Sequence, residues 1–401
     1  MSTSTWGEVP RAPAASQDRW VAVGRSTAPG SKAAGREAAR KAMLHPDAAL
    51  LIVLCSPVHD LDDLLEGVRA VSGDALLVGS TTAGEIAPSG PSSGGVVVLA
   101  LGGSGFSAAT AAATGIGSRL RQAGAEAAAC VRALGARPHR VLMLFTDGLA
   151  CDQLEIIRGA YGVAGAAVAM VGGAAADDLR MTSTRQLRGG DVLADSVVAA
   201  ALGSDAPFGI GVRHGWRPFG EPLLVTGTHA NTLLTLDDEP AMDVYLGRLE
   251  APAECYRDQA AFTRFAVTHP LGLSRRSGDR LRCVFRADFE TRAISCNAVV
   301  PSGAMTSFME CTRASVLESA GHACADAVRA LGGRPPIGLL AFDCVGRKVA
   351  LGDEGTAVEV ERMVQHSRGA PLAGLYGYGE IARVRGGSGF HNQTLVALAI
   401  S

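Results

Sequence analysis

A glycine-rich phrase that ends in an acid and an aliphatic residue occurs three times in the chain and constrains its fold most strongly. The copies are GSTTAGEI at residues 79–86, GGAAADDL at 172–179 and GLYGYGEI at 374–381. Each copy follows a short apolar run and precedes another run of strand length. Because these runs alternate with alanine-rich segments of helical length, the pattern predicts βαβ units and largely parallel pairing.

A second phrase marks where helices end. It reads RALGARP at 132–138 and RALGGRP at 329–335, each time before an apolar run. Gly at a helix C-terminus with Pro shortly afterwards is a stop signal. The sequence therefore predicts an α/β fold of three repeated strand-helix units, at 19–101, 106–202 and 304–400, in mainly parallel or mixed sheets. Residues 203–303 are predicted to form an additional β-rich segment with a helix near 242–250.

Composition excludes several classes of protein. A net charge of −2 without a basic run argues against a nucleic-acid partner. Nine cysteines without a C-x-x-C pair favour a reduced, cytoplasmic setting. No apolar run reaches the roughly 20 residues that span a bilayer, so we expect no membrane insertion. The histidines lack metal-ligand spacing and no P-loop is present, so we expect no metal and no cofactor.

The repeated acids are the first candidates for ligand contacts. A loop after a strand's carboxyl end is where open α/β sheets bind ligands, and glycines allow close approach to the backbone. Glu85 and Glu380 can therefore hold a cationic group such as an amine. The alternative is that each acid caps a turn or pairs with an arginine, and its recurrence in every unit favours such a structural role.

The segment DCVGR at 343–347 follows a predicted strand and places Cys344 near Arg347. A cysteine beside an arginine can be a low-pKa thiolate, hence a nucleophile or a redox sensor. The arginine can instead clamp a carboxylate. The alternative is a buried, inert cysteine and an arginine that pairs with a local acid.

Polar residues open the final predicted strand in FHNQT at 390–394. His391 and Asn392 can orient a ligand or latch the Glu380 loop structurally. Tyr378 can line a pocket as a flat amphipathic wall. The letters GPSSG at 90–94 match a nucleophile elbow but lie in a turn before a strand, so they predict a loop. We therefore expect no enzymatic activity.

These landmarks together resemble the FIST proteins. VGSTTAGEI at 78–86 and MVGGAAAD at 170–177 are similar to the family's N-terminal region. PAMDVY at 240–245, AFDCVGR at 341–347, GLYGYGEI at 374–381 and FHNQT at 390–394 are similar to its C-terminal region. The resemblance implies a FIST N-terminal domain at 19–239 and a FIST C-terminal domain at 240–401, after a disordered lead-in at 1–18.

The resemblance also implies a function. FIST domains are sensory modules of signal transduction that are thought to bind small ligands such as amino acids. Matched to the family's landmarks, Cys344, Arg347, Tyr378, Glu380, His391 and Asn392 become ligand-site candidates in addition to Glu85. We expect the amine of an amino-acid ligand near Glu380 or Glu85 and its carboxylate near Arg347.

The short lead-in predicts a stand-alone sensor that signals through a separate output protein. Two other functions stay open at this point. One is a Cys344-dependent enzyme or redox switch, and the other is a non-catalytic interaction scaffold whose repeated loops are structural.

Overall fold

The computed structural model describes residues 18–274, 280–383 and 389–401. The lead-in predicted at 1–18 lies outside these residues apart from Asp18. The described part contains eight α-helices and 26 strands in four sheets, three of which contain parallel and antiparallel pairs. The predicted mixed α/β class is therefore confirmed.

The first stretch of the chain alternates strands and helices and then forms a short hairpin. Its helices begin and end as the sequence dictates: the Asp60 carboxylate accepts a hydrogen bond from Asp63 N, and Gly73 ends the same helix with a φ of 54°. The elements are β1 (Trp20–Ser26), α1 (Ser31–Ala42), β2 (Ala48–Cys55), α2 (Leu61–Ser72), β3 (Leu76–Thr81), β4 (Glu85–Ala87), β5 (Gly90–Ser92) and β6 (Val96–Gly102).

The second stretch has the same order of elements, with a short 3-10 helix at Ala129–Ala133. Its elements are β7 (Phe106–Thr114), α3 (Leu120–Ala128), β8 (His139–Thr146), α4 (Gln153–Ala164), β9 (Ala169–Ala174), β10 (Gln186–Arg188), β11 (Asp191–Leu193) and β12 (Ser196–Ser204).

The third stretch begins with β13 (Phe208–His214) and is then interrupted by a β-rich insertion that forms the fourth sheet. A 3-10 helix, Ala253–Tyr256, also lies in this insertion. The insertion contains β14 (Trp216–His229), β15 (Thr232–Leu236), β16 (Glu239–Pro240), α5 (Ala241–Arg248), α6 (Gln259–Ala266), β17 (Leu271–Leu273), β18 (Arg280–Arg282), β19 (Val284–Asp288), β20 (Ala293–Cys296) and β21 (Met305–Cys311).

The third stretch then resumes and completes its own sheet. Gly352 has a φ of 65° and breaks its second helical run in two. The elements are α7 (Arg313–Arg329), β22 (Gly338–Cys344), α8 (Val345–His366), β23 (Leu372–Gly377), β24 (Gly379–Arg383), β25 (Gly389–His391) and β26 (Thr394–Ile400).

Three sheets share one strand order, and each receives its edge hairpin from another stretch of the chain. The first sheet runs β1-β6-β2-β3 and adds β10-β11 from the second stretch. The second runs β7-β12-β8-β9 and adds β24-β25 from the third. The third runs β13-β26-β22-β23 and adds β4-β5 from the first. The hairpins therefore close a ring in which each sheet is completed by a segment distant in sequence.

Backbone hydrogen bonds tie the centre of this ring together. Ala83 N donates to Tyr376 O at 2.8 Å, Ala176 N to Thr81 O at 3.1 Å, and Tyr378 N to Ala174 O at 3.1 Å. One core cluster contains side chains from all three sheets, and within it the rings of Phe145 and Phe342 lie 6.1 Å apart. The ring centre is therefore both packed and hydrogen-bonded.

The position of β13 corrects the sequence-based boundary of the third unit. We predicted that this unit starts at residue 304, but β13 pairs with β26 from Phe208↔Ile400 to His214↔Thr394. The insertion lies between β13, the first strand of the third stretch, and α7. Local sequence pattern therefore assigned β13 to the β-rich segment. The division into domains at 19–239 and 240–401 stays a prediction. In the part of the chain that the structure describes, no helix has both the length and the apolar character needed to cross a bilayer.

Candidate functional site

One position recurs at the start of all three edge hairpins. Glu85 lies opposite Leu375, Gln186 opposite Ser80, and Glu380 opposite Gly173. These partners are each the residue after the first glycine of the recurring phrase. Gln186, and not Asp178, is therefore the structural counterpart of Glu85 and Glu380.

The second stretch delays its hairpin by a loop, and this loop explains why the sequence pointed to Asp178. Asp178 and Leu179 have φ values of 56° and 61°, which are left-handed and belong to the loop after β9. Gln186 is fully buried at the start of β10. An alignment by the phrase alone stops at Asp178, because the loop residues have no counterpart in the other two stretches.

Each of the three side chains latches the hairpin to the strand that follows it. Glu85 Oε2 accepts from Gly95 N at 3.0 Å, and Glu380 Oε2 accepts from Thr394 N at 3.1 Å. Gln186 Oε1 accepts from the Ser196 hydroxyl at 2.6 Å. The repeated position thus has a common structural role.

Glu85 is satisfied beyond this latch. Its carboxylate also accepts from the Thr82 hydroxyl at 2.7 Å and the Ser92 hydroxyl at 2.8 Å. Burial raises the pKa of Glu85 to about 7, although these hydrogen bonds and the charge of Lys348 oppose the rise. The side chain is fully buried in the third sheet and does not line the cavity described below.

Glu380 keeps one oxygen without a hydrogen-bond partner. Its side chain is fully buried, and Oε1 has no partner among the described residues. Burial, followed by the nearby charge of Asp343, raises the pKa of Glu380 well above its usual range, and an interaction with the Cys344 thiol partly opposes this rise. Burial therefore disfavours the charged form of this carboxyl group.

Arg347 is also fully buried, and its guanidinium is ion-paired within the chain. Nε lies 2.7 Å from Asp343 Oδ1, and Nη2 donates to Glu359 Oε1 at 2.5 Å. Nη1 donates to the Ser319 hydroxyl at 3.0 Å, and Nη2 also to the Val316 carbonyl at 3.1 Å. Two carboxylates neutralise the charge of this guanidinium, so its ion pairs have a structural role in the core.

Cys344 lies at the end of β22 and lines the cavity. Burial, and then the charge of Glu380 and the neighbouring Cys283 thiol, raise the pKa of the Cys344 thiol well above its usual value. A low-pKa thiolate was the premise of the nucleophile and redox alternative. The pKa shift runs in the opposite direction, chiefly because the thiol is buried.

His391 and Asn392 lie at the far strand of the Glu380 hairpin. His391 pairs with Glu380 across β24 and β25, and its Nε2 lies 3.1 Å from the Ala382 carbonyl. Burial lowers the pKa of His391 to about 4, so the ring is neutral at neutral pH. Asn392 is 1% exposed, and neither its Nδ2 nor its Oδ1 has a hydrogen-bond partner among the described residues. A further contact of this hairpin is the hydrogen bond that Thr394 N donates to Glu380 Oε2.

Tyr378 joins the hairpin to the loop after β9. Its hydroxyl donates to Asp177 Oδ1, and its carbonyl accepts from Asn297 Nδ2 at 3.1 Å. Burial alone would raise the pKa of Asp177, but the hydrogen bonds from Tyr378 and from the backbone at Ser183 hold it below its usual value. Tyr378 thus fixes one wall of a cavity.

The cavity lies where loops of the second stretch meet the insertion and the start of α8. The centre of a water-sized sphere can move through about 70 Å³ of it. The lining residues are Gly148, Leu149, Ala150, Leu179, Met181, Asn231, Thr263, Val267, Cys283, Phe285, Asn297, Cys344, Val345 and Tyr378.

The structure brings together only part of the predicted site. Cys344 and Tyr378 line the cavity, and Glu380 lies directly behind Cys344. Arg347, Glu85, His391 and Asn392 are not among the lining residues. The role of all seven in ligand binding stays a prediction.

Sequence reasoning missed the wall that the insertion contributes. Asn297, Phe285 and Cys283 come from a part of the β-rich segment in which the sequence offered no site candidate, and Met181 comes from the loop after β9. The available sequence signal was the run of polar residues in that loop. Within the described residues, no group of three or more His, Cys, Asp or Glu side chains is arranged to hold a metal ion.

Comparison with known proteins matches the chain over most of its length. Residues 49–239 match the FIST N domain, and residues 241–383 match the FIST C domain. An uncharacterized protein of Mycobacterium tuberculosis is 29% identical over 231 residues, which cover 56% of this chain and 59% of that protein. An uncharacterized protein of Mycobacterium bovis is 28% identical over 241 residues, which cover 56% of this chain and 58% of that protein.

The matched region spans about three fifths of the length of these curated relatives. The two domain matches adjoin each other, and the cavity draws its lining from both of them. The chain therefore belongs to the FIST proteins, a family associated with sensory roles in signal transduction.

Proposed function

We propose that this protein is a sensory protein of signal transduction that binds a small molecule in the central cavity. The observation that carries the proposal is the origin of the cavity's lining. Leu149, Met181 and Asn231 belong to the FIST N match, whereas Phe285, Asn297 and Cys344 belong to the FIST C match. A ligand in this cavity contacts both regions, so its binding free energy is available to change their packing.

The cytoplasmic location and the separate output protein are also part of the proposal, and both rest on the sequence and on the family. We further propose that the three sheets with one strand order descend from one repeated unit. Their common order and the common latch at Glu85, Gln186 and Glu380 support this origin.

The amino-acid ligand expected from the sequence finds little support in the cavity itself. That expectation placed a carboxylate near Arg347 and an amine near Glu380 or Glu85. Arg347 is paired with Asp343 and Glu359, and burial raises the pKa of Glu380 well above its usual range, which disfavours the charged carboxylate that would hold an amine. Amino acids therefore enter the test below as one class among several.

A Cys344-dependent enzyme or redox switch is the second candidate function, and one observation favours it. Cys344 and Cys283 both line the cavity, so a reactive ligand would meet two thiols. Burial raises the pKa of the Cys283 thiol to about 12, and the Cys344 thiol is shifted in the same direction. This candidate therefore requires a ligand or a conformational change that activates a thiol.

The scaffold alternative draws its support from the hairpin latches. Glu85 and Gln186 are fully buried and hydrogen-bonded within the chain, as purely structural loops require. A scaffold and a sensor differ in whether the cavity binds a small molecule at all.

Thermal unfolding in the presence of a metabolite library, the twenty amino acids included, tests the proposal. A compound present at about 100 times its Kd stabilises the folded state by about 2.7 kcal/mol, which is readily seen as a rise in Tm. We expect at least one compound to raise the Tm. Ala150→Phe places a bulky side chain at the cavity wall and should abolish the rise. Ala136→Phe, at an exposed position outside the cavity, is the matched control.

Two results would count against the proposal. One is the absence of any shift across the library, and the other is a shift of equal size in wild type and Ala150→Phe. The first would favour the scaffold, and the second would move the binding site away from this cavity.

A further inference from the structure

We infer that the central cavity accepts an uncharged, largely apolar small molecule that donates one hydrogen bond. This inference rests on the proposed function, because it specifies the ligand class of the same cavity. The charges and the hydrogen bonds of the lining groups carry this inference.

The described lining of the cavity is mainly apolar. Leu149, Met181, Val267, Phe285 and Val345 contribute apolar side chains to it. Among the described residues, no Asp, Glu, Lys, Arg or His side chain lines it. Transfer of an ionised carboxylate or ammonium into such a site is strongly unfavourable unless an opposite charge meets it. The lining therefore selects against zwitterions and ions.

Two acids that contact lining residues are engaged within the chain. Asp177 accepts hydrogen bonds from the backbone of Met181 at 2.9 Å, and from that of Thr182 and Ser183 at 2.8 Å each. It also accepts from the Tyr378 hydroxyl, so its lone pairs are used within the chain. Glu380 interacts with the Cys344 thiol, and burial raises the pKa of Glu380 well above its usual range, which disfavours its charged form. Both features disfavour the binding of a cation beside these acids.

The polar lining groups are nearly all engaged in the chain. The Thr263 hydroxyl bridges to the carbonyls of Gln259 and Phe285 at 2.8 Å each. Asn231 Nδ2 donates to the Cys296 carbonyl at 2.6 Å. These hydrogen bonds fix the position of the wall, and the donors that make them are occupied within the chain.

Asn297 is the exception. Its Nδ2 donates to the Tyr378 carbonyl at 3.1 Å, and its backbone N donates to the Cys283 carbonyl at 3.2 Å, so the side chain is fixed. Its Oδ1 is buried and has no hydrogen-bond partner among the described residues. An unsatisfied buried acceptor is costly, and a ligand N–H or O–H removes that cost. The inferred ligand donor is therefore assigned to Asn297 Oδ1, beside the apolar side chains of the lining.

Calorimetric titration of the full chain with four related probes tests the inference. Indole is uncharged and has one N–H donor, 1-methylindole lacks the donor, and indole-3-acetate and L-tryptophan carry charge. We expect indole to bind about tenfold more tightly than 1-methylindole, since one hydrogen bond to a buried acceptor is worth about that factor. The two charged probes should show no saturable heat.

Variants assign the binding to the cavity and the preference to Asn297. Ala150→Phe should abolish binding of indole, and Ala136→Phe should leave it unchanged. Asn297→Ala should bring the affinities of indole and 1-methylindole within about twofold of each other. The ratio of the two affinities does not change if the substitution weakens the binding of both probes equally. If Asn297→Ala does not fold, the ratio measured in the wild-type protein tests the inference.

The outcomes separate this inference from the proposed function. Saturable binding of the charged probes that Ala150→Phe abolishes would overturn the ligand class and leave the proposed function standing. The same holds if a charged library compound binds in the cavity and indole does not. If neither the library nor the probes bind, the proposed function falls and the inference falls with it. Equal affinity for indole and 1-methylindole would overturn the role of Asn297.

Discussion

The first and third sheets have the same strand order but different chemistry at the same position. Cys55 lies opposite Thr81 at the end of β2, and Asp343 lies opposite Tyr376 at the corresponding point of β22. Both side chains are fully buried. The first sheet places a thiol there, whereas the third buries a carboxylate that pairs with Arg347. The same backbone arrangement can therefore enclose either an inert core or a buried ionic cluster, and a few side chains determine which of the two forms.

The hairpin acids show the same difference. Glu85 has hydrogen bonds on both carboxylate oxygens, whereas Glu380 Oε1 has no partner in the described part of the chain. Only the second of these acids lies behind the cavity, next to Cys344. Asn297 Oδ1 and Glu380 Oε1 are two unsatisfied polar atoms near the contact of the third stretch with the insertion, and such atoms are expected where function as well as structure constrains a region.

The largest expected effect comes from removing the cation of the third sheet. Arg347→Met leaves Asp343 and Glu359 buried without a counter-charge and should lower the free energy of unfolding by about 3–5 kcal/mol. Urea unfolding at pH 7 measures it. Arg217→Met is the matched control, because Arg217 is exposed and its ion pair with Glu310 should contribute less than about 1 kcal/mol. Equal losses of unfolding free energy in both variants would show that the buried ion pairs contribute no more to stability than the exposed pair does.

The pH dependence of stability should differ between wild type and Glu85→Gln. The folded-state pKa of Glu85, about 7, lies above its ordinary value, so the folded state holds this proton more tightly than the unfolded chain. The stabilisation is complete below about pH 4.5 and is lost as pH rises to about 7. Linkage makes the loss about 3 kcal/mol. Urea unfolding from pH 4.5 to 8 should therefore show a flatter curve for Glu85→Gln than for wild type.

Two further variants sharpen this measurement. Exposed Glu221→Gln should leave the wild-type slope unchanged. Glu380→Gln should also flatten the curve relative to wild type, because burial raises the pKa of Glu380 in the same direction. If both buried variants keep the slope of wild type, neither acid is protonated in the folded protein.

Alkylation rates test the thiol alternative. Cys344 is buried with a raised pKa, whereas Cys151 is exposed. Since thiolate is the reacting species and its fraction falls tenfold per pKa unit, we expect iodoacetamide at pH 7.5 to modify Cys344 more than about tenfold more slowly than Cys151. Peptide mapping by mass spectrometry gives both rates in one sample, with urea-unfolded protein as the control. A Cys344 that reacts as fast as Cys151 would revive the enzyme or redox function.

Local pattern was sufficient for many individual elements. The predicted helix near 242–250 corresponds to α5 (Ala241–Arg248), and the apolar run VVVLAL at 96–101 to β6 (Val96–Gly102). Both are determined by neighbouring residues, which is the information that a pattern contains. The stop signal at RALGGRP likewise precedes β22 (Gly338–Cys344).

The exchange of hairpins and the partners of Arg347 could not be predicted in this way. β4 reaches β23 across nearly 300 residues, as the pairing Gly374↔Ile86 shows, and no local periodicity encodes it. Arg347 meets Glu359 only because α8 breaks at Gly352 and turns the later segment back. Asn297 is a candidate only because the insertion packs against Tyr378, a contact that the sequence does not reveal. Site geometry here depends on contacts between segments that are distant in sequence.

The smallest expected effect concerns the second sheet, whose latch differs in its donor. Gly95 and Thr394 donate from the backbone, whereas Ser196 donates from its side chain to Gln186. Ser196→Ala therefore removes this latch and leaves Gln186 Oε1 buried without that donor, at a cost of about 1–2 kcal/mol in the free energy of unfolding. Exposed Ser302→Ala should change it by less than about 0.5 kcal/mol.

A double-mutant cycle with Gln186→Leu separates the latch from general packing. If the hydrogen bond carries the effect, Ser196→Ala should cost almost nothing in the Gln186→Leu background, since no acceptor is left to be stranded. An undiminished cost in that background would mean that Ser196 stabilises the sheet through packing. The second sheet would then lack the latch that the first and third sheets make with backbone donors, and the common role of the three hairpin positions would have to be abandoned.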